Sequence, residues 1–247
     1  MDRMIYTALS GMEAAMARQR ATASNLANAQ TTGFRAEVFT VKAAELVGPS
    51  LEARAMNRGG VLGADMASGE ISQTGQPLDV ALDGDALLAL QAADGQEVYS
   101  RRGDLSVAAS GVLQNGDGLP VMGAAGPITV PPGRALSIGA DGNIYAADPA
   151  APDAPPQNVG RIKLASPQGS RIAKDMGGFF RVIGGGILPA DEAATLTSGA
   201  LEQSNVDTTQ VLVDMIEAQR SFERRAKLFS TAGEIDTSGA RLMSLRS

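Results

Sequence analysis

The chain carries the same stripe at both ends. Ile5, Leu9, Met12, Met16, Gln19, Ala23 and Leu26 step by four and three, and Leu212, Met215, Gln219, Phe222, Ala226, Phe229 and Gly233 repeat that spacing near the other terminus. This period puts each set on one side of an α-helix. Val211 and Ile216 widen the second stripe. The first pattern implies one helix of about 25 to 30 residues. Gly33 can take the left-handed conformation that ends a helix, and Phe34 can make the apolar contact that accompanies such a stop. Asp207 is placed to cap the second helix, with Gln210 reaching back as in a capping box, and Glu223 and Lys227 form an i, i+4 pair. Two amides stand out near the end of the first stripe. Asn25 and Asn28 compete with the helix for backbone hydrogen bonds, so they need a purpose.

Between the stripes the period changes from 3.6 to 2. Leu78, Val80 and Leu82 alternate with Asp79 and Ala81, and Leu105 and Val107 with Ser106. Asp83-Gly84, Asp94-Gly95, Asn115-Gly116, Asp117-Gly118 and Asp141-Gly142 are turn dipeptides of the kind that close hairpins. A β domain therefore fills residues 70–200, with the proline-rich run from Ala147 to Asn158 as a surface loop. Residues 36–69 are weakly patterned and read as an extended connection that admits a strand or a short helix. The fold class is α+β: long N- and C-terminal α-helices around a central, mainly β domain. Periodicity leaves two arrangements open. The helices pair with each other and with those of neighbouring molecules, with Asn25 and Asn28 flanking the seam, or each packs on the β domain as an ordinary core element; spacing by itself slightly favours the second.

Composition narrows the chemistry. There is no Cys and no His, which removes disulfides, thiolate ligands and the commonest general base and metal ligand. With 21 Lys and Arg against 27 Asp and Glu the net charge is −6, which disfavours nucleic acid. The opening MDRMIYTALSGMEAAMARQR is interrupted by Thr7, Ser10, Gly11 and Glu13 and lacks the apolar centre of a signal peptide, and no run is long enough to cross a membrane. Asp83-Gly84-Asp85 opens like a calcium loop, but Leu88 and Asp94 stand where glycine and glutamate are needed. Asp141-Gly142-Asn143 fails likewise. Gly184-Gly185-Gly186 lacks the residues of a phosphate loop and reads as a flexible turn. Arg101-Arg102 and the set Arg220, Arg224, Arg225 and Lys227 could contact phosphates, although acidic neighbours make the second set a solvated or subunit-facing surface. No activated nucleophile or carboxylate pair stands out, so no catalytic, cofactor-binding or metal residue is assigned.

The run Ser24-Asn25-Leu26-Ala27-Asn28 followed by Thr31-Thr32-Gly33-Phe34-Arg35, and the later runs LEQSNVD from Leu201 to Asp207 and MIEAQRSFE from Met215 to Glu223, resemble the paired terminal motifs of the bacterial flagellar rod and hook family. TGQPLDVALDGD, YSRRGDLSV and GPITVPPG, lying between them, are similar to the family's β domain. Leu87 and Leu88 stand where the family commonly has aromatic residues, and Ser100 replaces a frequent Thr. The motif positions are Ser24, Asn25, Leu26, Ala27, Asn28, Gly33, Phe34, Ser204, Asn205, Val206, Gln219 and Arg220. Within the family the opening MDRMIYTALSGM and the modest length look most like proximal rod proteins, with a distal rod protein as the alternative.

The resemblance implies a structural subunit with no reaction and no cofactor. It implies export by the flagellar type III apparatus without a cleaved signal, then helical stacking in the periplasm with copies of itself and other rod proteins into a driveshaft around the export channel. Residues 1–35 and 201–247 would form its inner helical domain and residues 70–200 its outer layer, which raises subunit pairing above core packing as the reading of the two stripes. Ile5, Leu9, Met12, Met16 and Leu26 would then pack on Leu212, Met215, Phe222 and Phe229 within and between subunits, from termini disordered in the secreted monomer. No nucleic acid, small-molecule substrate or membrane insertion is implied. The competing class is a secreted β-rich hydrolase of cell-wall polymer.

Overall fold

A computed structural model describes residues 2–45, 55–151, 153–175 and 177–244. The chain divides into two compact units, a helical one of residues 1–27, 37–64 and 207–247 and a β one of residues 28–36 and 65–206.

The helical unit contains α1 (Asp2–Ala27), a hairpin of β1 (Glu37–Glu45) and β2 (Ala55–Ala64), and α2 (Thr208–Ser244). Residues 37–45 and 55–64, weakly patterned in sequence, thus pair as antiparallel strands with a bulge between Val38 and Phe39. Gly59 lets the hairpin lie against α1, because a Cβ there would sit 2.8 Å from Phe39 Cζ and 2.9 Å from Ala14 Cβ. The first helix stops at Ala27 and not at Gly33. A turn follows at once, with Thr31 N donating to Asn28 O and Thr31 Oγ1 to Asn28 Oδ1. At α2, Asp207 Oδ1 accepts from Thr209 N and Gln210 N, which is the expected cap. The Gln210 side chain does not reach back; its amide donates to Asp214 Oδ1, one turn on.

Which helix residues are buried differs from the apolar stripes. Among the described side chains, the buried positions on α1 are Ser10, Gly11, Ala14, Ala15, Ala21 and Thr22, and on α2 Val211, Ala218 and Ala232. Small side chains permit close approach: a Cβ on Gly11 would lie 2.5 Å from Arg225 Nη1. Leu9, Met12, Leu26, Met215, Phe222 and Phe229 are half-buried, and Met16 and Leu212 are exposed at 37% and 46%. The side chain of Ile5 lies outside the described residues.

The β unit is built from antiparallel pairs. Its largest sheet has five strands in the order Leu164–Ala165, β5 (Leu87–Gln91), β6 (Glu97–Ser100), Phe180–Val182 and Ile172–Lys174, with β3 (Ile71–Gln73) and β4 (Val80–Leu82) preceding it in the chain. β3 pairs with Ala200–Glu202, and β4 pairs with Leu196–Ser198. Asp94-Gly95 and Asp141-Gly142 close hairpins with Gly95 and Gly142 at positive φ, whereas Asp83-Gly84 links β4 to β5, which lie in different sheets. All three residues of β4 are buried, so its apparent alternation does not mark a solvent face; Ala81 is small enough to be covered on the second side. Val80, Leu82, Leu88, Leu90, Leu113, Ile144, Ile162 and Leu196 share one apolar core. The loop between Asn143–Ala147 and Gln157–Arg161 is exposed throughout its described middle. Among the described residues, no helix is long and apolar enough to cross a membrane.

Candidate functional site

Asn25 acts inside the helical unit as a clip on the first residue of β1. Its Nδ2 donates to Glu37 O at 3.1 Å, and its Oδ1 accepts from Glu37 N at 2.7 Å. Ser24 Oγ adds a bond to Glu37 Oε1. An amide presents a donor and an acceptor side by side, so Asn25 pairs with one peptide group as a neighbouring strand would. This is the purpose the helix has for it. Asn25→Ala gains about 0.6 kcal/mol in helix propensity and loses two hydrogen bonds of about 1 kcal/mol each. The Glu37 amide is expected to exchange roughly ten-fold faster in that variant, as measured by hydrogen exchange.

Gly33, Phe34, Ser204, Asn205 and Val206 lie in the β unit. Gly33 has φ +67°, and a Cβ there would sit 2.3 Å from the Arg101 carbonyl carbon, so the left-handed glycine serves a close approach of two backbones rather than a helix end. Gly33 N donates to Glu202 O at 2.7 Å. Phe34 carries Lys174 Nζ over its ring at 3.6 Å, and the same ammonium donates to Arg35 O at 2.6 Å. Asn205 uses its whole amide: Oδ1 accepts from Ala36 N at 2.7 Å, while Nδ2 donates to Asp65 O and Ala67 O at 2.9 Å each. Three chain segments, at 34–36, 65–67 and 205, are thereby fastened together. Ser204 Oγ accepts from Val206 N. Ala27 is exposed on α1, and Gln219 and Arg220 are exposed on α2.

At the centre lie three charged residues that sequence reasoning did not single out as a set. Arg35, Arg101 and Glu202 are 0%, 1% and 2% exposed. Glu202 Oε2 accepts from Arg101 Nε at 2.7 Å and lies 2.7 Å from Arg101 Nη2, while Oε1 accepts from Gly69 N at 2.8 Å and lies 2.6 Å from Arg35 Nη1. Arg101 also donates to the carbonyls of Leu82, Gly84 and Ala86. Burial is the largest influence on Arg101 and pulls its pKa below the usual arginine value, with Glu202 pulling it back. Arg101 is therefore a buried brace and not a phosphate contact, and Arg102 beside it pairs with Asp104 and Asp117. One sequence signal pointed here: in the strand Ala200–Glu202 the alternation puts a carboxylate on the same inward face as buried Ala200.

Comparison with known proteins matches the segments that carry these residues. Residues 5–35 match the family described as flagella basal body rod protein, residues 81–146 the flagellar hook protein FlgE/F/G D1 domain, and residues 197–242 the flagellar basal body rod FlgEFG protein C-terminal. The flagellar basal-body rod protein FlgF of Salmonella typhimurium is 40% identical over 251 residues, covering 99% of this chain and 100% of the relative. The chain belongs to the flagellar basal-body rod protein family. The Escherichia coli FlgF is 40% identical over the same coverage, and the Bacillus subtilis rod protein FlgG is 29% identical over 260 residues, 95% of this chain and 97% of the relative. Homology to FlgF makes the chain a structural rod subunit of the flagellar basal body and not an enzyme, and nothing in these matches supports a cell-wall hydrolase. Each matched segment contributes one member of the buried triad: Arg35 ends the first, Arg101 lies in the second and Glu202 in the third.

Proposed function

We propose that this rod subunit assembles by its terminal helices, which pair in the manner of a coiled coil as an inner domain while the β domain forms an outer layer. The observation that carries this reading is the face of α2 that remains uncovered. Leu212, Val213, Ile216, Leu228 and Ile235 are 46% to 65% exposed on a helix whose buried positions Val211, Ala218 and Ala232 fall at multiples of seven. A helix that buries one side and leaves large aliphatic side chains on another has a second surface to cover. Repeated head-to-tail by a rotation that does not close, such contacts build a filament. Its neighbours are copies of itself and other rod proteins, its place is the periplasm around the export channel, and it arrives through the flagellar type III apparatus without a cleaved signal. The FlgF relatives, at 40% identity, support the proximal over the distal rod position.

The test is isolation of basal bodies from cells producing either the full chain or one ending at Asp207. The full chain is expected in the purified particle, and the shortened chain is expected to be exported but absent from it. Equal incorporation of both would place the assembly contacts in the β domain.

A further inference from the structure

Arg35 and Arg101 share one carboxylate, yet they are held very differently. Arg101 has an acceptor for every nitrogen: Glu202 Oε2 at Nε, Gly84 O and Ala86 O at Nη1, and Leu82 O at Nη2. Arg35 is fully buried, and its Nη1 lies 2.6 Å from Glu202 Oε1 outside hydrogen-bond geometry. Among the described residues, its Nε, Nη1 and Nη2 all lack a hydrogen-bond acceptor. Two buried cations thus face one carboxylate, and the second carries the unmet desolvation. Buried polar groups are normally bonded, so a guanidinium with one ion contact and no hydrogen-bond acceptor, which water would solvate readily, opposes the docking of the segment that carries it.

That segment is otherwise well fastened. Gly33 N bonds Glu202 O, Ala36 N bonds Asn205 Oδ1, Phe34 O accepts from Asn205 N at 3.3 Å, and Lys174 holds Arg35 O. Removing residues 31–36 would leave Glu202 with Arg101 and Gly69 N, a pair complete in itself. We propose that residues 31–36 are a latch on the β unit, held by main-chain hydrogen bonds and weakened by the buried Arg35 guanidinium, so that the segment after α1 can come away while the β unit stays folded. Docked, Arg35 is dry and poorly bonded. Released, it is hydrated, and the β core keeps its own ion pair.

Hydrogen exchange on the full-length monomer tests this with and without Arg35→Met, which keeps the length of the side chain and removes the charge. In the unaltered chain the Gly33 and Ala36 amides are expected to exchange together, at least roughly ten-fold faster than Ala89 N, which bonds Lys163 O within the core. Exchange of all three at one rate would mean that the segment opens only with the whole unit and would overturn the latch. In Arg35→Met the Gly33 and Ala36 amides are expected to slow roughly ten-fold while Ala89 is unchanged. Faster exchange at Gly33 and Ala36 in that variant would overturn the proposal, because Arg35 would then strengthen the docking. Arg101→Met is the contrast: it leaves Glu202 and three carbonyls without their donor, and the midpoint of chemical denaturation is expected to fall for Arg101→Met and not for Arg35→Met.

Discussion

Glu202→Ala is expected to lower the stability of the β unit by roughly 3–5 kcal/mol, the cost of breaking a buried ion pair by removing one partner. The size follows from what is left behind. Arg101, 1% exposed, keeps its three carbonyl contacts but loses the only carboxylate it bonds among the described residues; Arg35, 0% exposed, loses its only ion contact there. Gly69 N loses an acceptor too, and Gly69 cannot retreat far, since a Cβ there would sit 2.0 Å from Gln203 O. Glu202→Gln keeps an oxygen for Gly69 and sheds the charge, so it is expected to fall between the two. Urea denaturation followed by a β-sheet signal measures both variants. A loss under about 1 kcal/mol in Glu202→Ala would mean that water reaches the triad and screens it, as it does for exposed pairs.

The triad also shows where sequence reading stopped. Both helices were legible because a 3.6 period sustained over about six turns has few competing explanations, and the Asp207 cap follows from local chemistry that the structure repeats. The end of α1 was not legible in the same way. Gly33 has the positive φ expected of a helix stop, yet that conformation serves the backbone of Arg101, far away in sequence, while the stop comes at Ala27. Asn25 and Asn205 likewise spend their amides on partners that no local window contains, Glu37 in one case and residues 36, 65 and 67 in the other. Arg35, Arg101 and Glu202 lie far apart in sequence, and only the pairing of β3 with Ala200–Glu202 and the approach of Gly33 to Arg101 bring them together. Charge burial is a property of topology here, and composition carries no trace of it.

Leu212→Glu with Ile216→Glu is expected to leave the monomer folded and to remove the protein from isolated basal bodies. The two side chains are 46% and 51% exposed one turn apart on α2, so in the free chain a carboxylate at either position stands in water and changes stability by no more than about 0.5 kcal/mol. In an assembly the arithmetic reverses. Covering a large aliphatic side chain contributes about 1.5–3 kcal/mol, and leaving a carboxylate in its place without a partner costs several more. Each subunit makes the contact again, so a loss that weakens one contact a hundred-fold stops growth of the filament. Phe222→Asp is a poorer test, because Phe222 is half-buried and its loss would disturb the helical unit as well. Circular dichroism of the monomer and immunodetection in purified basal bodies read the two quantities separately. Normal incorporation with an intact fold would show that this face of α2 meets solvent in the rod, and the contact surface would have to be sought among the small buried residues of α1 and α2 after rearrangement. A monomer that unfolds would instead show that the face is covered within the chain, against the exposure seen in the structure.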